Sequence, residues 1–279
     1  QNLLQKQVSD EEIASHHLRA SRWLAGNGWV EEAIHHALLA GDTETAVTVL
    51  IQKRHQLMNK DQWNNLEHMI NMLPESAVAH NLILLLTKAH IAIVRSKDAE
   101  LFKCWEQAKR LVNDLPSESL IEREVQGEIS LLQCMEALFS GQVADLIVYG
   151  KRANEYLPKE ALHLRSAAMG FLLAGFQMSG DLSRGVSLIN ESLITSTWPP
   201  FIHAKLLLYL GFVHFMDGDL PGAKHHISES LRLSNKYEFG VVRSQAHYIL
   251  GKINYLHNDL TAAEANLLPL LENPAISAP

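Results

Sequence analysis

The sequence predicts an all-α protein, a solenoid of stacked antiparallel helical hairpins, on two observations. First, short helix-breaking segments recur almost evenly, since Gly141, Gly180, Gly218 and Asn258 are separated by 39, 38 and 40 residues. Self-similarity at a period of this length is typical of repeat architectures. Second, the segments between the breakers carry apolar residues at helical spacing, and alternating apolar–polar stretches typical of strands are absent.

The breakers contain residues suited to a tight corner between two helices. Glycine readily adopts the left-handed conformation that ends a helix. An aspartate after it can accept hydrogen bonds from the free amides that open the next helix. The pattern therefore predicts a reversal of chain direction at each breaker. The corner sequences are Ser-Gly-Gln-Val at 140–143, Ser-Gly-Asp-Leu at 179–182, Asp-Gly-Asp-Leu at 217–220 and His-Asn-Asp-Leu at 257–260.

The first third of the chain is also predicted to be helical, but without the long period. Ser9 and Glu12 form a capping-box pattern, which marks a helix start. Asp42 is suited to open a later helix, and Pro74 ends another. The predicted helices cover residues 9–25, 30–40, 42–58 and 63–73. We therefore expect a helical adaptor over residues 1–74 and the repeat superhelix over residues 75–279.

The later hairpins fit a tetratricopeptide-like pattern. That pattern places one small residue in the first helix and a second one twelve positions later, where the two helices cross closely. Gly211 with Ala223 and Gly251 with Ala263 fit this rule, whereas in the preceding hairpin bulky Leu173 faces Gly185. The period exceeds the roughly 34 residues of the standard repeat, so we expect divergent members. The predicted hairpins pair residues 162–178 with 183–194, 201–216 with 220–234, and 241–256 with 261–271.

Composition excludes several classes of function for this segment. The 279 residues carry 24 basic and 31 acidic side chains, a net charge of −7, which argues against direct contact with nucleic acid or an anionic membrane. The richest apolar stretch, residues 81–94, is shorter than the roughly 20 residues of a membrane span. Two cysteines exclude a disulfide framework and favour a reducing, cytoplasmic location. The chain begins with Gln1 and has no signal-peptide pattern, so we expect it to be part of a longer protein.

The residues that could carry chemistry do not form a catalytic or metal-binding pattern. The chain has fifteen histidines, but no two stand four residues apart, the spacing that a helical zinc site requires. Cys104 and Cys134 lie in helical patterns, where cysteine usually acts as a small hydrophobe. No Gly-x-Ser-x-Gly elbow and no Gly-x-x-x-x-Gly-Lys-Ser/Thr phosphate loop is present. We therefore expect neither an enzyme nor a metal site in this chain.

The remaining candidate is a groove lined by the first helices of successive hairpins. In the tetratricopeptide register, the groove-facing positions lie six and three residues before the first small residue, and one and four after it. Lysines with aromatic rings suit a polar ligand that stacks, or a peptide with an acidic group. The alternative is that these side chains only contact neighbouring helices. The predicted groove residues are Ala167, Gly170, Ala174 and Gln177, then Lys205, Leu208, Phe212 and Phe215, then Gln245, Tyr248, Lys252 and Tyr255.

Two stretches near the start carry a family resemblance. The segment from His17 to Asp42, with Trp23, Gly28 and a Glu-Glu-Ala-Ile-His-His-Ala run, resembles the linker that follows the ATPase and winged-helix modules in MalT-like regulators. These are large, ATP-dependent, LuxR-type bacterial transcription activators. The Trp-x-x-Leu helix from Trp63 that ends in Leu-Pro resembles the next block of that family. The downstream repeats are similar in architecture to the family's superhelical sensor domain.

The resemblance implies a modular switch of which this chain is one part. An ATPase module before Gln1 would bind ATP, and a terminal helix-turn-helix would bind promoters, whereas this fragment would need no cofactor. Its partners would be a small-molecule inducer or a regulatory protein, and its own ATPase module, with self-association left open. The alternative is a stand-alone tetratricopeptide-like scaffold that binds a partner peptide.

Overall fold

A computed structural model describes residues 9–115 and 122–271 and confirms the all-α prediction. These residues form fifteen α-helices and contain no strand. None of these helices is long and apolar enough to cross a membrane. The pattern of contacts divides the chain into two compact units, Gln1–Ile121 and Glu122–Pro279, called here the first and second units.

The first unit begins with the helices predicted from the caps. The capping box is present, because the Ser9 amide donates to Glu12 Oε2 (3.0 Å) and the Glu12 amide donates to Ser9 Oγ (3.2 Å). Asp42 caps its helix by accepting from the Thr45 amide at 2.9 Å. The helices are α1 (Asp10–Gly26), α2 (Val30–Leu39), α3 (Thr43–Asn59), α4 (Trp63–Met72), α5 (Glu75–Ala79), α6 (Leu82–Val94) and α7 (Asp98–Asn113).

Consecutive helices of the first unit pack against one another around an apolar core. Ile34, Leu50 and Leu66 are completely buried in it. A buried hydroxyl joins α1 to α2, since Ser21 Oγ donates to the Ala33 carbonyl at 2.7 Å. Helix α6 contacts both α3 and α4, and the compact unit therefore extends past residue 74. The predicted boundary between adaptor and repeats at residue 74 rests on the sequence pattern and stays a prediction. The boundary between the two packed units is a different one and falls between residues 121 and 122.

Between residues 122 and 271 the second unit forms four helical hairpins, including the three predicted above. Each first helix packs against its own second helix, and the first helices α8, α10, α12 and α14 also contact one another in succession. They therefore line one side of the stack, as in other helical-repeat folds. The helices are α8 (Arg123–Phe139), α9 (Val143–Tyr156), α10 (Leu162–Met178), α11 (Leu182–Thr195), α12 (Pro200–Met216), α13 (Leu220–Tyr237), α14 (Gly240–Leu256) and α15 (Leu260–Leu271).

The corners between paired helices have the predicted geometry, with one exception. Gly180 and Gly218 adopt positive φ angles of 81° and 84°, and Asn258 replaces glycine at 58°. Asp219 caps α13 by accepting from the Gly222 amide at 3.0 Å. The prediction is wrong for Asp181, which makes no side-chain cap to α11 and instead accepts from Ser183 Oγ at 3.3 Å.

The helices of one hairpin approach closely where the small residues were predicted. A methyl group added at Gly211 would lie 2.5 Å from Ile227 Cγ1 and 3.2 Å from the Ala223 carbonyl oxygen. One added at Gly251 would lie 2.5 Å from Leu267. Both distances are far below van der Waals contact, so a larger residue at either position would force the facing side chain to move.

Candidate binding face of the second unit

The seven site residues predicted from the sequence lie on two first helices that contact each other. Helices α12 and α14 belong to successive hairpins of the second unit. We call the set the groove face. It comprises Lys205, Phe212 and Phe215 on α12, and Gln245, Tyr248, Lys252 and Tyr255 on α14.

The α14 part of the groove face is an exposed polar and aromatic strip. Its four residues are spaced by three, four and three positions, which places them along one side of a helix. Tyr248 is 48% exposed and Tyr255 is 65% exposed, while the neighbouring Ile249 and Ile253 are buried. The Lys252 ammonium lies 4.5 Å from the centre of the Tyr248 ring, a cation–π arrangement. The ring therefore holds the lysine beside it at the surface.

The α12 part of the groove face is more enclosed. Phe212 is 48% exposed, but Phe215 is half-buried and packs against the apolar core of the unit. Leu208, predicted to face the groove, is only 4% exposed and belongs to that core. The register is therefore wrong at Leu208, because the neighbouring helices close over this part of α12.

Lys205 lies among side chains that the sequence did not single out. Its Nζ is 3.4 Å from Nε2 of buried His163 on α10, and 5.6 Å from the centre of the Tyr209 ring. Burial raises the pKa of Tyr209, so its phenol stays protonated at neutral pH. The sequence feature that could have revealed this arrangement is Gly170, since a methyl group there would lie 2.7 Å from Tyr209 Cε2. A glycine in one repeat thus leaves room for a ring of the next.

The chemistry of the groove face is that of a surface for anionic or polar ligands. Among the described residues, Lys252 has no ion pair or hydrogen bond, and its charge is therefore available. Exposed Tyr255 and Phe212 offer flat apolar area, and Gln245 can donate and accept hydrogen bonds. Such a surface can bind a ligand through its charge, its rings and its hydrogen-bonding groups.

A separate surface pocket lies within the first unit. Its volume is about 550 Å³, and its walls include Leu85 and Lys88 of α6 and Lys103 and Cys104 of α7. Burial raises the pKa of the Cys104 thiol, which keeps it protonated and weakly nucleophilic. In the described parts of the chain, no three histidine, cysteine, aspartate or glutamate side chains cluster closely enough to hold a metal ion.

The fold and the groove face define a helical-repeat protein, and comparison with known sequences relates it to a class of regulators. No protein-family model matches the chain. The chain is 26% identical over 177 residues to the HTH-type transcriptional regulator MalT of Serratia proteamaculans (strain 568), which covers 63% of this chain and 19% of that protein.

A second relative extends the match. The chain is 26% identical over 209 residues to the HTH-type transcriptional regulator MalT of Yersinia enterocolitica, covering 71% of this chain and 23% of the relative. The resemblance to MalT-like regulators is therefore confirmed, and the chain spans about a fifth of the length of these curated relatives.

One solved structure is similar in fold. It is described as the crystal structure of PilW, a widely conserved type IV pilus biogenesis factor. The two share 14% sequence identity with a TM-score of 0.48, over 82% of this chain and 96% of that chain.

Proposed function

We propose that the chain is the effector-sensing and protein-interaction part of a bacterial, ATP-dependent LuxR-type transcriptional regulator that works in the cytoplasm. In this proposal the groove face binds a small-molecule inducer or a regulatory protein. The conformational effect of binding is transmitted to an ATPase module and a DNA-binding module carried by other segments of the longer protein. ATP would serve that ATPase module, and this chain would carry no catalytic activity of its own.

The observation that carries the proposal is the strip on α14. Four consecutive outward positions of that helix carry side chains able to hydrogen-bond, and all four are exposed. Lysine over tyrosine at 4.5 Å gives the strip a fixed cation beside a flat ring. The relatives named as transcriptional regulators support the regulatory setting.

A thermal-shift screen of a metabolite panel on the 279-residue chain tests the groove face. We expect a hit whose stabilisation is lost in Tyr248→Ala and whose affinity falls about fivefold or more in Lys252→Ala, since each change removes a contact of roughly 1 kcal/mol or more. Lys236→Ala is the matched control, because the Lys236 ammonium lies 5.1 Å from the Tyr237 ring on a second helix outside the groove face. A hit that binds all three variants equally would contradict the site.

The regulatory setting has its own test in the codons that flank this segment. The proposal requires a phosphate-binding loop upstream and a helix-turn-helix downstream in the same reading frame. The rival, a stand-alone scaffold for a partner peptide, requires a frame that starts near residue 1 and stops near residue 279. The second result would remove the proposed function while leaving the groove face testable as a peptide site.

A further inference from the structure

A row of exposed apolar side chains crosses the second unit at the corners of its hairpins. Each first helix ends in a large apolar residue: Phe139, Met178, Met216 and Leu256. Their side chains are 75%, 43%, 58% and 59% exposed, in that order. We call these four residues the corner ladder. None of them belongs to the groove face.

The corner ladder repeats once in each hairpin of the second unit. Each member stands two residues before the left-handed corner residue of its repeat, so the spacing of the ladder equals that of the corners. Successive first helices contact one another, which brings their ends to the same edge of the unit. The second helices begin beside them with apolar residues that are not fully buried, namely Val143, Leu182, Leu220 and Leu260. Exposed apolar side chains grouped along one edge are typical of an interaction surface.

Within the corner segments the carboxylates have no lysine or arginine beside them, although Asp219 lies 2.9 Å from Nδ1 of His214 on the preceding helix. The corner segments 139–143, 178–182, 216–220 and 256–260 contain no lysine or arginine. They contain four aspartates, Asp181, Asp217, Asp219 and Asp259, all of them exposed. Three of the four corners therefore carry a carboxylate beside the apolar rung, and the corner at Phe139 carries none. A complementary partner needs apolar side chains beside basic ones.

We propose that the corner ladder docks a basic amphipathic helix of a partner protein, with its apolar side on the ladder and its lysines or arginines against the corner aspartates. Neighbouring helices pack about 8–10 Å apart, so four rungs extend over roughly 27 Å. That distance is the length of about 18 helical residues at 1.5 Å each. An amphipathic helix lying across an apolar row is an established mode of peptide recognition.

A designed peptide tests the proposal on the 279-residue chain. The probe is a fluorescently labelled helix of about 18 residues made of leucine on one side and lysine on the other, followed by fluorescence anisotropy at about 0.15 M salt. We expect binding that weakens about tenfold or more in the double variant Met178→Ser with Met216→Ser, called the ladder variant, and that also weakens as salt is raised. The same peptide with glutamate in place of lysine should bind at least about tenfold less tightly.

Matched variants separate the ladder from other surfaces. Ile194→Ser removes an 84% exposed apolar residue from the end of a second helix and should leave binding unchanged. Asp217→Asn keeps the shape of a corner and should weaken binding of the lysine peptide alone. Tyr248→Ala should have no effect, so failure of the groove face and failure of the ladder can be told apart.

Three results would overturn the proposal. They are equal binding to the ladder variant and to Ile194→Ser, equal binding of the lysine and glutamate peptides, and a dimer in sedimentation that the ladder variant abolishes. The last would assign the ladder to a second copy of this chain. Circular dichroism melts of each variant confirm that the fold is intact, since all four ladder side chains are exposed and outside the core.

Discussion

The corners of the first unit and those of the second unit share a backbone geometry but present different side chains to solvent. In the first unit, Gly28, Gly41, Asp61 and Ser96 adopt positive φ angles, as the corner residues of the second unit do. The residues two positions earlier are Gly26, Leu39, Asn59 and Val94 in the first unit. Only Leu39 among these is large, apolar and exposed.

The difference separates what a helical corner needs from what it merely allows. The reversal needs a left-handed residue and acceptors for the free amides of the next helix. It does not need an exposed apolar residue at the end of the preceding helix, because the first unit turns without a row of them. The reversal of the chain therefore does not explain the corner ladder of the second unit, whose exposed side chains suit a binding surface.

Packing around glycines gives a second comparison between the units, and Gly211→Val should give the largest effect. Valine at Gly211 would overlap Ile227 and the Ala223 carbonyl, and we expect the free energy of unfolding to fall by about 3 kcal/mol. Gly26→Val in the first unit meets no atom within 4 Å and should cost about 0.5 kcal/mol or less. Urea denaturation measures both. Equal losses of unfolding free energy in the two variants would show that the close contacts at Gly211 are not the cause of its loss.

Buried serines give a comparison in which the two units should behave alike. Ser21 Oγ donates to the Ala33 carbonyl and Ser230 Oγ to the Ala204 carbonyl, both at 2.7 Å, and both serines are fully buried. Each serine-to-alanine change should therefore cost about 1–2 kcal/mol, because each removes the same interhelical hydrogen bond. Denaturation curves recorded for the two variants check this. A loss confined to one unit would mean that the partner carbonyl in the other unit regains a hydrogen bond, to water, after the change.

A charged cluster joins helices in the first unit, and its effect should be smaller. Glu67 lies 2.9 Å from Lys97 Nζ and 3.4 Å from Arg95 Nε. The hydrogen bond from Lys97 lowers the pKa of Glu67, so this stabilisation is present at neutral pH and is lost as the pH falls through the lowered value. Glu67→Gln should cost about 1 kcal/mol or less because the pair is partly exposed. The cost should shrink at high salt, and a cost independent of salt would contradict an ionic origin.

The smallest expected effect is a change in pH dependence in the second unit. Burial lowers the pKa of His226, and the stacked ring of His214, 5.3 Å away, and His225 lower it further. The unfolded chain therefore binds a proton before the folded chain does. Stability falls as the pH drops from about 6.5 towards the lowered folded-state value.

His226→Phe should reduce that acid sensitivity, seen as a smaller fall in melting temperature between about pH 7 and pH 5.5. His257→Gln is the control, because His257 is exposed and lies outside the stacked group. An unchanged pH profile in His226→Phe would show that other groups cause the acid sensitivity.

The sequence alone determined many of the helices, corners and crossings. The capping box at Ser9, the left-handed residue at Gly218 and the close contact at Gly211 all matched the predictions. These features depend on the preferences of a few neighbouring residues, or on one fixed spacing within a hairpin. Such information is local, and a single sequence carries it.

Tertiary structure decided which side chains are available for binding. Leu208 and Phe212 occupy equivalent-looking groove positions four residues apart, yet one is buried and the other is half exposed. His163 and Tyr209 meet Lys205 only because α10 and α12 pack together. The apolar residues of the corner ladder look like core residues in the sequence, since apolar side chains at helical spacing normally predict burial. Exposure depends on contacts between segments some 40 residues apart, which local patterns do not contain.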